Sequence, residues 1–167
     1  MWIARYYNCY KPNTCIISNG FATMAISVPG AIAAKLVNPD KKVLAVTGDG
    51  GFMMNCQEFE TALRLGISFV TLIFNDSSYG LIKWKQKDRF GESCFVDFTN
   101  PDFVKFAESM HAIGYRIDSA DELLPTLEKA FQQTVPVIID CQVDYGENTK
   151  LTDHLQHIYS ELEKQEK

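Results

Sequence analysis

Three strongly apolar runs dominate the pattern of hydrophobic positions along the chain. They lie at residues 43–47, 69–74 and 135–143, and they are rich in β-branched and aromatic side chains. Runs without polar alternation are typical of strands buried on both faces of a parallel sheet. The segments between these runs carry apolar residues at helical spacing. The pattern therefore predicts an α/β fold, a doubly wound parallel sheet with helices on both faces.

Turn residues and helix caps predict the remaining elements. A short first strand is expected at residues 14–18, and another at residues 114–117. Helices are expected at residues 27–36, 55–65, 100–111 and 119–133. Their predicted caps are Ser27, Asn55 with Glu58 in capping-box spacing, and Ser119 or Asp121. One domain is predicted at 1–150, followed by a charged, helical tail at 151–167.

Composition narrows the class of protein. The 167 residues are 46% hydrophobic and 22% charged, with a net charge of −5, as is ordinary for a globular domain. The acidic balance and scattered basic residues indicate no nucleic-acid surface, and no apolar run is long enough for a membrane span. The five cysteines show no CxxC spacing, which fits reduced thiols and a cytoplasmic location.

The most informative chemistry lies where two predicted strands end. Asp49 stands in the turn Gly48-Asp49-Gly50-Gly51, and Asp76 stands in the turn Asn75–Ser78. Carboxyl ends of neighbouring parallel strands form the crevice in which open α/β sheets bind ligands. Two carboxylates suit Mg2+, and adjacent glycines let a phosphate approach backbone N–H groups. Gly-Asp-Gly alone is a common turn, but the joint pattern predicts a metal-diphosphate site.

The same residues resemble a known motif. Gly48-Asp49-Gly50, followed by a strand that ends in Asn75-Asp76, resembles the thiamin diphosphate motif that runs from GDG to NN, with Asp76 in place of the second Asn. From about residue 4 to 150 the chain resembles the C-terminal, diphosphate-binding domain of catabolic, FAD-independent acetolactate synthases. The segments that carry this resemblance include 17–24, 48–52, 75–79 and 136–145.

The resemblance implies a role for each matching residue. Asp49 and Asp76 would be side-chain ligands of Mg2+, and the Ser78 carbonyl would be the third protein ligand. Met24 would support the thiazolium ring, and the Ala22 carbonyl would accept a hydrogen bond from the aminopyrimidine. Without the resemblance, Met24 would be interpreted as a core methionine. The residues implied to contact the cofactor as a whole are Gly48, Asp49, Gly50, Gly51, Asp76, Ser77, Ser78 and Tyr79.

The resemblance also implies an activity and partners. Such an enzyme decarboxylates pyruvate and joins the remaining two-carbon unit to a second pyruvate, giving 2-acetolactate and CO2. Its activating glutamate lies on a domain that this chain does not contain, so the chain is interpreted as a domain, fragment or split-gene product. The remaining enzyme domains and further copies in a homo-oligomer are the expected partners. The alternatives are a domain of another thiamin diphosphate-dependent 2-keto acid decarboxylase or carboligase, and a non-catalytic partner subunit.

Other chemical signals are weaker. A nucleotide-binding α/β protein is disfavoured, because the sequence has neither GxGxxG nor Gly-Lys-Ser/Thr. His154 and His157 on the tail are interpreted as a solvated helix face. The basic and aromatic segment 83–87 is expected to be an active-site lid or a subunit contact, with Gln86 near the substrate channel.

Overall fold

A computed structural model, which describes residues 2–149, contains a four-stranded and entirely parallel sheet. Its strands are β1 (Leu44–Gly48), β2 (Val70–Asn75), β3 (Ile113–Ile117) and β4 (Val137–Gln142). They lie in the order β1-β2-β4-β3, with Gly48 opposite Phe74 and Asn75 opposite Gln142. The parallel direction brings the carboxyl ends of β1, β2 and β4 together at one edge of the sheet.

Helices cover both faces of this sheet, which confirms the predicted doubly wound fold. One apolar cluster joins residues of β1, β2 and β4 to four helices, and a second joins β2, β3 and β4 to the last helix. The helices of the first cluster are α2 (Ser27–Val37), α3 (Asp49–Met53), α4 (Glu58–Arg64) and α6 (Phe103–Ser109). The remaining helices are α1 (Trp2–Tyr6), α5 (Gly80–Phe90) and α7 (Leu123–Ala130).

The order of the strands explains why, among the helices of residues 2–149, it is α7 that packs in the second cluster. The chain moves outward across the sheet from β1 through β2 to β3, and it then steps back to β4. A constant crossover handedness places the helix of a backward step on the opposite face from those of the forward steps. Ala130 of α7 accordingly packs with Ile117, Val137 and Ile139.

The predicted first strand at residues 14–18 is wrong. Residues 16–19 have no regular structure, and neither Ile16 nor Ile17 is buried, with 78% and 44% of their surface exposed. The preceding residues form local turns instead, in which the Thr14 hydroxyl donates to the carbonyl of Lys11. A strand requires a partner for its backbone groups, and no described strand pairs with this segment.

Two of the predicted helix caps are also wrong. A 3-10 turn at Met24–Ile26 runs directly into α2, so Ile26 holds the cap position and Ser27 lies inside the helix. Similarly, a turn links α3 to α4, and α4 begins at Glu58 after Gln57. Neither α3 nor α4 has a side-chain hydrogen bond that caps its first turn. The Asn55 side chain accepts a hydrogen bond from Gln57 instead. Continuous turns thus satisfy backbone groups that a side chain would otherwise cap.

The other helices differ from prediction mainly at their ends. The helix expected at 100–111 is α6, which begins at Phe103 after an Asp102 cap whose carboxylate accepts from the N–H groups of Val104 and Lys105. Ser119 caps only a 3-10 turn at Ala120–Glu122, without a side-chain bond, and Asp121 lies inside that turn. The prediction that one of them caps the helix is therefore wrong, because α7 follows Glu122; the helix ends at Ala130. The predicted tail at 151–167, with His154 and His157, lies outside the described residues. Within residues 2–149, no helix is both long and apolar enough to cross a membrane.

Candidate metal and diphosphate site

Asp49 is the most enclosed acidic residue of the site. It begins α3 directly after β1, and only 1% of its surface is exposed. Its Oδ1 accepts from the N–H of Gly50 at 2.8 Å, and its Oδ2 accepts from the N–H of Ser77 and from Asn100 Nδ2, both at 2.7 Å. Hydrogen bonds of this kind offset the cost of removing a carboxylate from water. The bond from Ser77 joins the ends of β1 and β2 directly.

Asp76 lies on the β2 side of the same crevice. Its Oδ2 accepts from the Ser78 hydroxyl at 2.7 Å, and the side chain is partly buried. Burial raises the pKa of Asp76, and the nearby charge of Asp49 raises it further, whereas the bond from Ser78 acts in the opposite direction. Burial is thus the main cause of the raised pKa of Asp76, and repulsion from the Asp49 carboxylate adds to it. A cation between them would neutralise that repulsion.

The turn after β2 has a defined and strained shape. Ser77 has a φ of 54°, a left-handed conformation that costs a non-glycine residue on the order of 1 kcal/mol. This conformation allows the Ser77 N–H to reach Asp49, while the Ser77 carbonyl accepts from the N–H of Phe98 at 3.1 Å. The N–H of Tyr79 donates to the carbonyl of Val96 at 2.9 Å. The turn is therefore fixed on one side by Asp49 and on the other by residues 96–98.

The glycines of the turn after β1 are closely packed. A Cβ atom on Gly50 would lie 2.7 Å from Cε1 of Tyr79 and 3.3 Å from Cζ of Phe98. A Cβ atom on Gly51 would lie 2.9 Å from Thr47 Oγ1. A side chain at either position would have to displace these neighbours, so packing favours glycine there in addition to any approach of a phosphate. A Cβ atom on Gly48 would meet only the Phe74 carbonyl, at 3.9 Å.

The residues present fit the donor set that a magnesium-diphosphate site needs. Mg2+ usually takes one or two carboxylates and fills its other positions with phosphate oxygens and water. Asp49 and Asp76 supply two carboxylates, and Ser78, 4% exposed, follows them in the same turn. In the described part of the chain, no three His, Cys, Asp or Glu side chains form a metal-binding group. The proposed donor set needs only two such side chains and a backbone carbonyl.

Met24 lies beside the glycine turn that follows β1. The Met24 carbonyl is 3.1 Å from the Cβ position of Gly51, so the 3-10 turn that Met24 begins packs on α3. The Met24 side chain is 45% exposed, which does not fit the alternative of a core methionine. Ala22 has a φ of 52° and is exposed. The structure therefore brings the Met24 backbone to the glycine turn, and the cofactor roles of Met24 and Ala22 stay predictions.

The basic and aromatic segment 83–87 lies on α5, in which no residue is buried. Lys83 Nζ is 2.7 Å from Asp97 Oδ1, and Gln86 Oε1 accepts from the N–H of Cys94 at 3.0 Å. These bonds tie α5 to the loop that follows it. The predicted function of the segment as a lid or a subunit contact stays a prediction.

Three residues near the site carry no functional prediction from the sequence. Asn100 is predicted only as a helix start, whereas Asn75 belongs to the resembled motif without a role of its own. Asp140 and Arg116 were not singled out at all, although a carboxylate within the apolar run 135–143 was a visible signal. The structure connects them: Asn100 bonds Asn75, Asn75 bonds Asp140, and Arg116 bonds Asp140. No sequence spacing indicates that the segments of Ser77 and Asn100 meet at Asp49.

Comparison with known proteins identifies the family of this chain. The family described as thiamine pyrophosphate enzyme, C-terminal TPP binding domain, matches residues 1–141; thiamine pyrophosphate (TPP) is thiamin diphosphate. The chain is 42% identical to an acetolactate synthase of Bacillus subtilis over 98% of its length, and 37% identical to a catabolic acetolactate synthase of Raoultella terrigena over 93%. It is also 35% identical to a pyruvate oxidase of Lactiplantibacillus plantarum over 83%.

The chain spans only a part of these relatives. It covers 29%, 28% and 24% of the three proteins, respectively. The family match includes Gly48–Ser78, with both acidic residues of the site.

Proposed function

We propose a function on the premise that this chain belongs to the thiamine pyrophosphate enzymes, as their C-terminal TPP-binding domain. In our proposal Asp49 and Asp76, with the Ser78 carbonyl, hold Mg2+, and the ion holds the diphosphate of the cofactor. The observation that carries the proposal is the bond from the Ser77 N–H to Asp49, which joins the two acidic strand ends.

The other site residues take roles around that ion. Backbone groups of Gly48, Gly50, Gly51 and the Ser77 region bind the diphosphate, and the Tyr79 ring packs beside Gly50. The Met24 side chain supports the thiazolium ring, and the Ala22 carbonyl accepts from the aminopyrimidine. When bound, the cofactor supplies a carbanion equivalent for cleaving a 2-keto acid next to its carbonyl, and the protein supplies binding and orientation.

The substrate in this proposal is pyruvate, converted to 2-acetolactate and CO2. The chain contributes the diphosphate half of the active site, whereas the remaining enzyme domains contribute the activating glutamate. A homo-oligomer completes the site, and the complex works in the cytoplasm. The identities to two acetolactate synthases over nearly the whole chain support this choice.

A titration tests the cofactor role. Thiamin diphosphate is added to the full chain with and without Mg2+, and binding is followed by calorimetry in the wild type and in Asp49→Ala. We expect binding that requires Mg2+ and is lost in Asp49→Ala. The exposed Asp40→Ala is the matched control and should bind like the wild type. Equal binding by Asp49→Ala and the wild type would contradict the metal role.

An activity assay tests the division of the site. Given pyruvate, Mg2+ and thiamin diphosphate, the chain alone should form no measurable acetolactate, because the activating glutamate is on another domain. Acetolactate should appear when the missing domains of a relative are supplied as a separate chain. Acetolactate formation by the chain alone would show that this division is wrong.

A second candidate function is supported by the identity to a pyruvate oxidase. The domain would then serve another thiamin diphosphate-dependent 2-keto acid decarboxylase or carboligase. Analysis of the products formed by the complemented enzyme distinguishes the two: 2-acetolactate supports the first candidate, and acetaldehyde or another acyloin supports the second. A partner subunit without catalytic function would bind the other domains but no cofactor.

A further inference from the structure

Asp140 is a buried carboxylate that takes no direct part in the proposed metal site. It lies in β4, between β2 and β3, and 1% of its surface is exposed. Its Oδ1 accepts from Asn75 Nδ2 at 2.9 Å and from Gln142 Nε2 at 3.2 Å. Its Oδ2 accepts from Arg116 Nε at 3.2 Å, and the Arg116 side chain is 42% exposed. The positive charge of the partly exposed Arg116 side chain thus compensates the negative charge of Asp140 inside the sheet.

Asp140 determines the orientation of the Asn75 amide. An ionised carboxylate can only accept hydrogen bonds, so Asn75 must turn its NH2 group towards Asp140. The Asn75 Oδ1 is then available on the other side, where Asn100 Nδ2 donates to it at 2.9 Å. The orientation of the Asn75 amide therefore follows from what its neighbours can donate or accept. It does not depend on which amide atom is drawn as nitrogen and which as oxygen.

The same reasoning determines the orientation of Asn100. Its Nδ2 has two acceptors, Asn75 Oδ1 at 2.9 Å and Asp49 Oδ2 at 2.7 Å, so its NH2 group must face both. Its Oδ1 is buried and has no protein partner among the described residues. The hydrogen bonds found for the Asn100 side chain therefore all come from its NH2 group and hold Asp49 and Asn75.

We propose that Asn100 is a positioning residue for the metal-binding carboxylate of Asp49, held in one orientation by Asp140 through Asn75. The inference rests on the proposed function of Asp49 as a ligand. Asn100 and the Ser77 N–H both donate to Asp49 Oδ2, which fixes the rotation of the carboxylate about its own axis. Partners that orient a metal ligand typically contribute about 10- to 100-fold to metal affinity.

Metal affinity tests this role. The full chain is titrated with Mn2+ in the presence of thiamin diphosphate, and free Mn2+ is measured by electron paramagnetic resonance. Asn100→Leu keeps the approximate volume of the side chain but removes both donors, and Asn100→Ala checks that result. We expect each variant to lose about tenfold or more in Mn2+ affinity. The matched control is Asn38→Ala, at the exposed end of α2, which should keep the wild-type affinity.

Affinities are compared at a temperature at which circular dichroism shows every variant to be folded. An affinity of the Asn100 variants within twofold of the wild type would overturn the inference and leave the proposed function intact. If the wild-type chain itself binds no Mn2+ with the cofactor, the proposed function fails, and with it the role of Asn100 towards the metal.

A second measurement tests, without any metal, whether Asp140 holds Asn100 in place through Asn75. In NMR spectra of the full chain, the Nδ2 protons of Asn100 should exchange with water about tenfold or more slowly than those of Asn38. Asp140→Asn should reduce that difference, because the Asn75 amide is then free to turn. If the Asn100 Nδ2 protons exchange as fast as those of Asn38 in the wild type, or if Asp140→Asn leaves their exchange rate unchanged, the proposed role of Asp140 and Asn75 is contradicted.

Discussion

At the scale of single residues, the site depends on a few polar side chains whose burial away from water costs free energy unless they are hydrogen-bonded. Asp49, Asn75 and Asp140 are all less than a tenth exposed, and each has a hydrogen-bond partner from a different segment of the chain. Leaving a buried polar group without a hydrogen bond costs on the order of 1–3 kcal/mol, so each of these residues depends on its hydrogen-bond partners. Replacing one of them disturbs the next.

Phe52 links this polar set to the apolar core. It follows the glycine turn by one residue and is fully buried. Its ring makes edge contacts with the rings of Phe59, Phe103 and Phe106 at centroid distances of 5.7, 5.4 and 5.7 Å. The Phe52 side chain therefore packs α3 against α4 and α6.

Phe52→Ala should lower the free energy of unfolding by about 3–5 kcal/mol, because it leaves a cavity among three rings. Urea unfolding followed by circular dichroism measures the loss. Phe95→Ala removes the same atoms from a fully exposed ring and should change stability by less than about 0.5 kcal/mol. Similar losses in the two variants would show that Phe52 does not have this packing role.

At the scale of elements, the close approach of α6 to β3 depends on Gly114. A Cβ atom there would lie 2.6 Å from the Val104 Cα and 2.8 Å from the Val104 carbonyl oxygen. These are backbone atoms of α6, so no side chain can move aside to relieve the contact. The helix that starts near Asn100 is positioned by this packing.

Gly114→Ala should therefore destabilise the chain by about 1–3 kcal/mol, the usual effect of overpacking. That corresponds to a fall in melting temperature of about 2–4 °C for each kcal/mol in a chain of this size. Gly20→Ala is the control, because nothing lies within 4 Å of its Cβ position. An unchanged melting temperature for Gly114→Ala would contradict the observed packing of α6.

The start of α6 should depend on pH. The pKa of Asp102 is lowered from its ordinary 3.8, first by the N–H of Lys105 and then by the charge of Arg116 and the N–H of Val104. Because the pKa is lower in the folded state, the stabilisation is present above 3.8 and is lost as the pH falls through the folded value. Asp102→Asn should flatten the acid limb of the unfolding free energy plotted against pH. An acid limb as steep as that of the wild type would contradict this assignment.

The sequence predicted these elements unevenly. The three apolar runs became β1, β2 and β4, because strands buried on both faces need no polar alternation and leave a strong signal. The expected strand at 14–18 had similar residues but found no partner, and pairing is not visible in a local pattern. Ser27 and Asn55 were wrong as caps because tight turns continue into both helices.

The part of the site that lies at the carboxyl ends of consecutive strands could be predicted from the sequence. Asp49 and Asp76 could be placed together because consecutive parallel strands bring their carboxyl ends to one edge. Asn100 and Asp140 could not, because their approach depends on how the chain packs between residues 76 and 137. The crowding of Gly50 by Tyr79 depends on the same packing and is not visible in the sequence.

At the scale of the whole molecule, the described surface exposes several large apolar side chains. Phe21 and Phe95 are fully exposed, Tyr10 is 88% exposed and Ile16 is 78% exposed. Large exposed apolar side chains are typical of interfaces, and the proposed active site lies between domains. The remaining enzyme domains and a second copy of the chain are the partners proposed for these surfaces.

The chain should therefore associate with itself as its concentration rises. Sedimentation equilibrium measures this, and Phe21→Ser should weaken the association if the ring is covered by a second copy. Leu124→Ser, a change of an exposed residue on α7, serves as the control. A chain that stays monomeric at all concentrations would contradict the expected homo-oligomer for this part of the enzyme.

The most direct measurement is anomalous diffraction from Mn2+ in crystals of the chain grown with thiamin diphosphate. The metal role of the two strand ends predicts one strong peak in the crevice, with oxygens of Asp49, Asp76 and the Ser78 carbonyl about 2.1 Å from the ion. A cofactor bound with its metal elsewhere, or with either carboxylate turned away from the ion, would contradict the central claim.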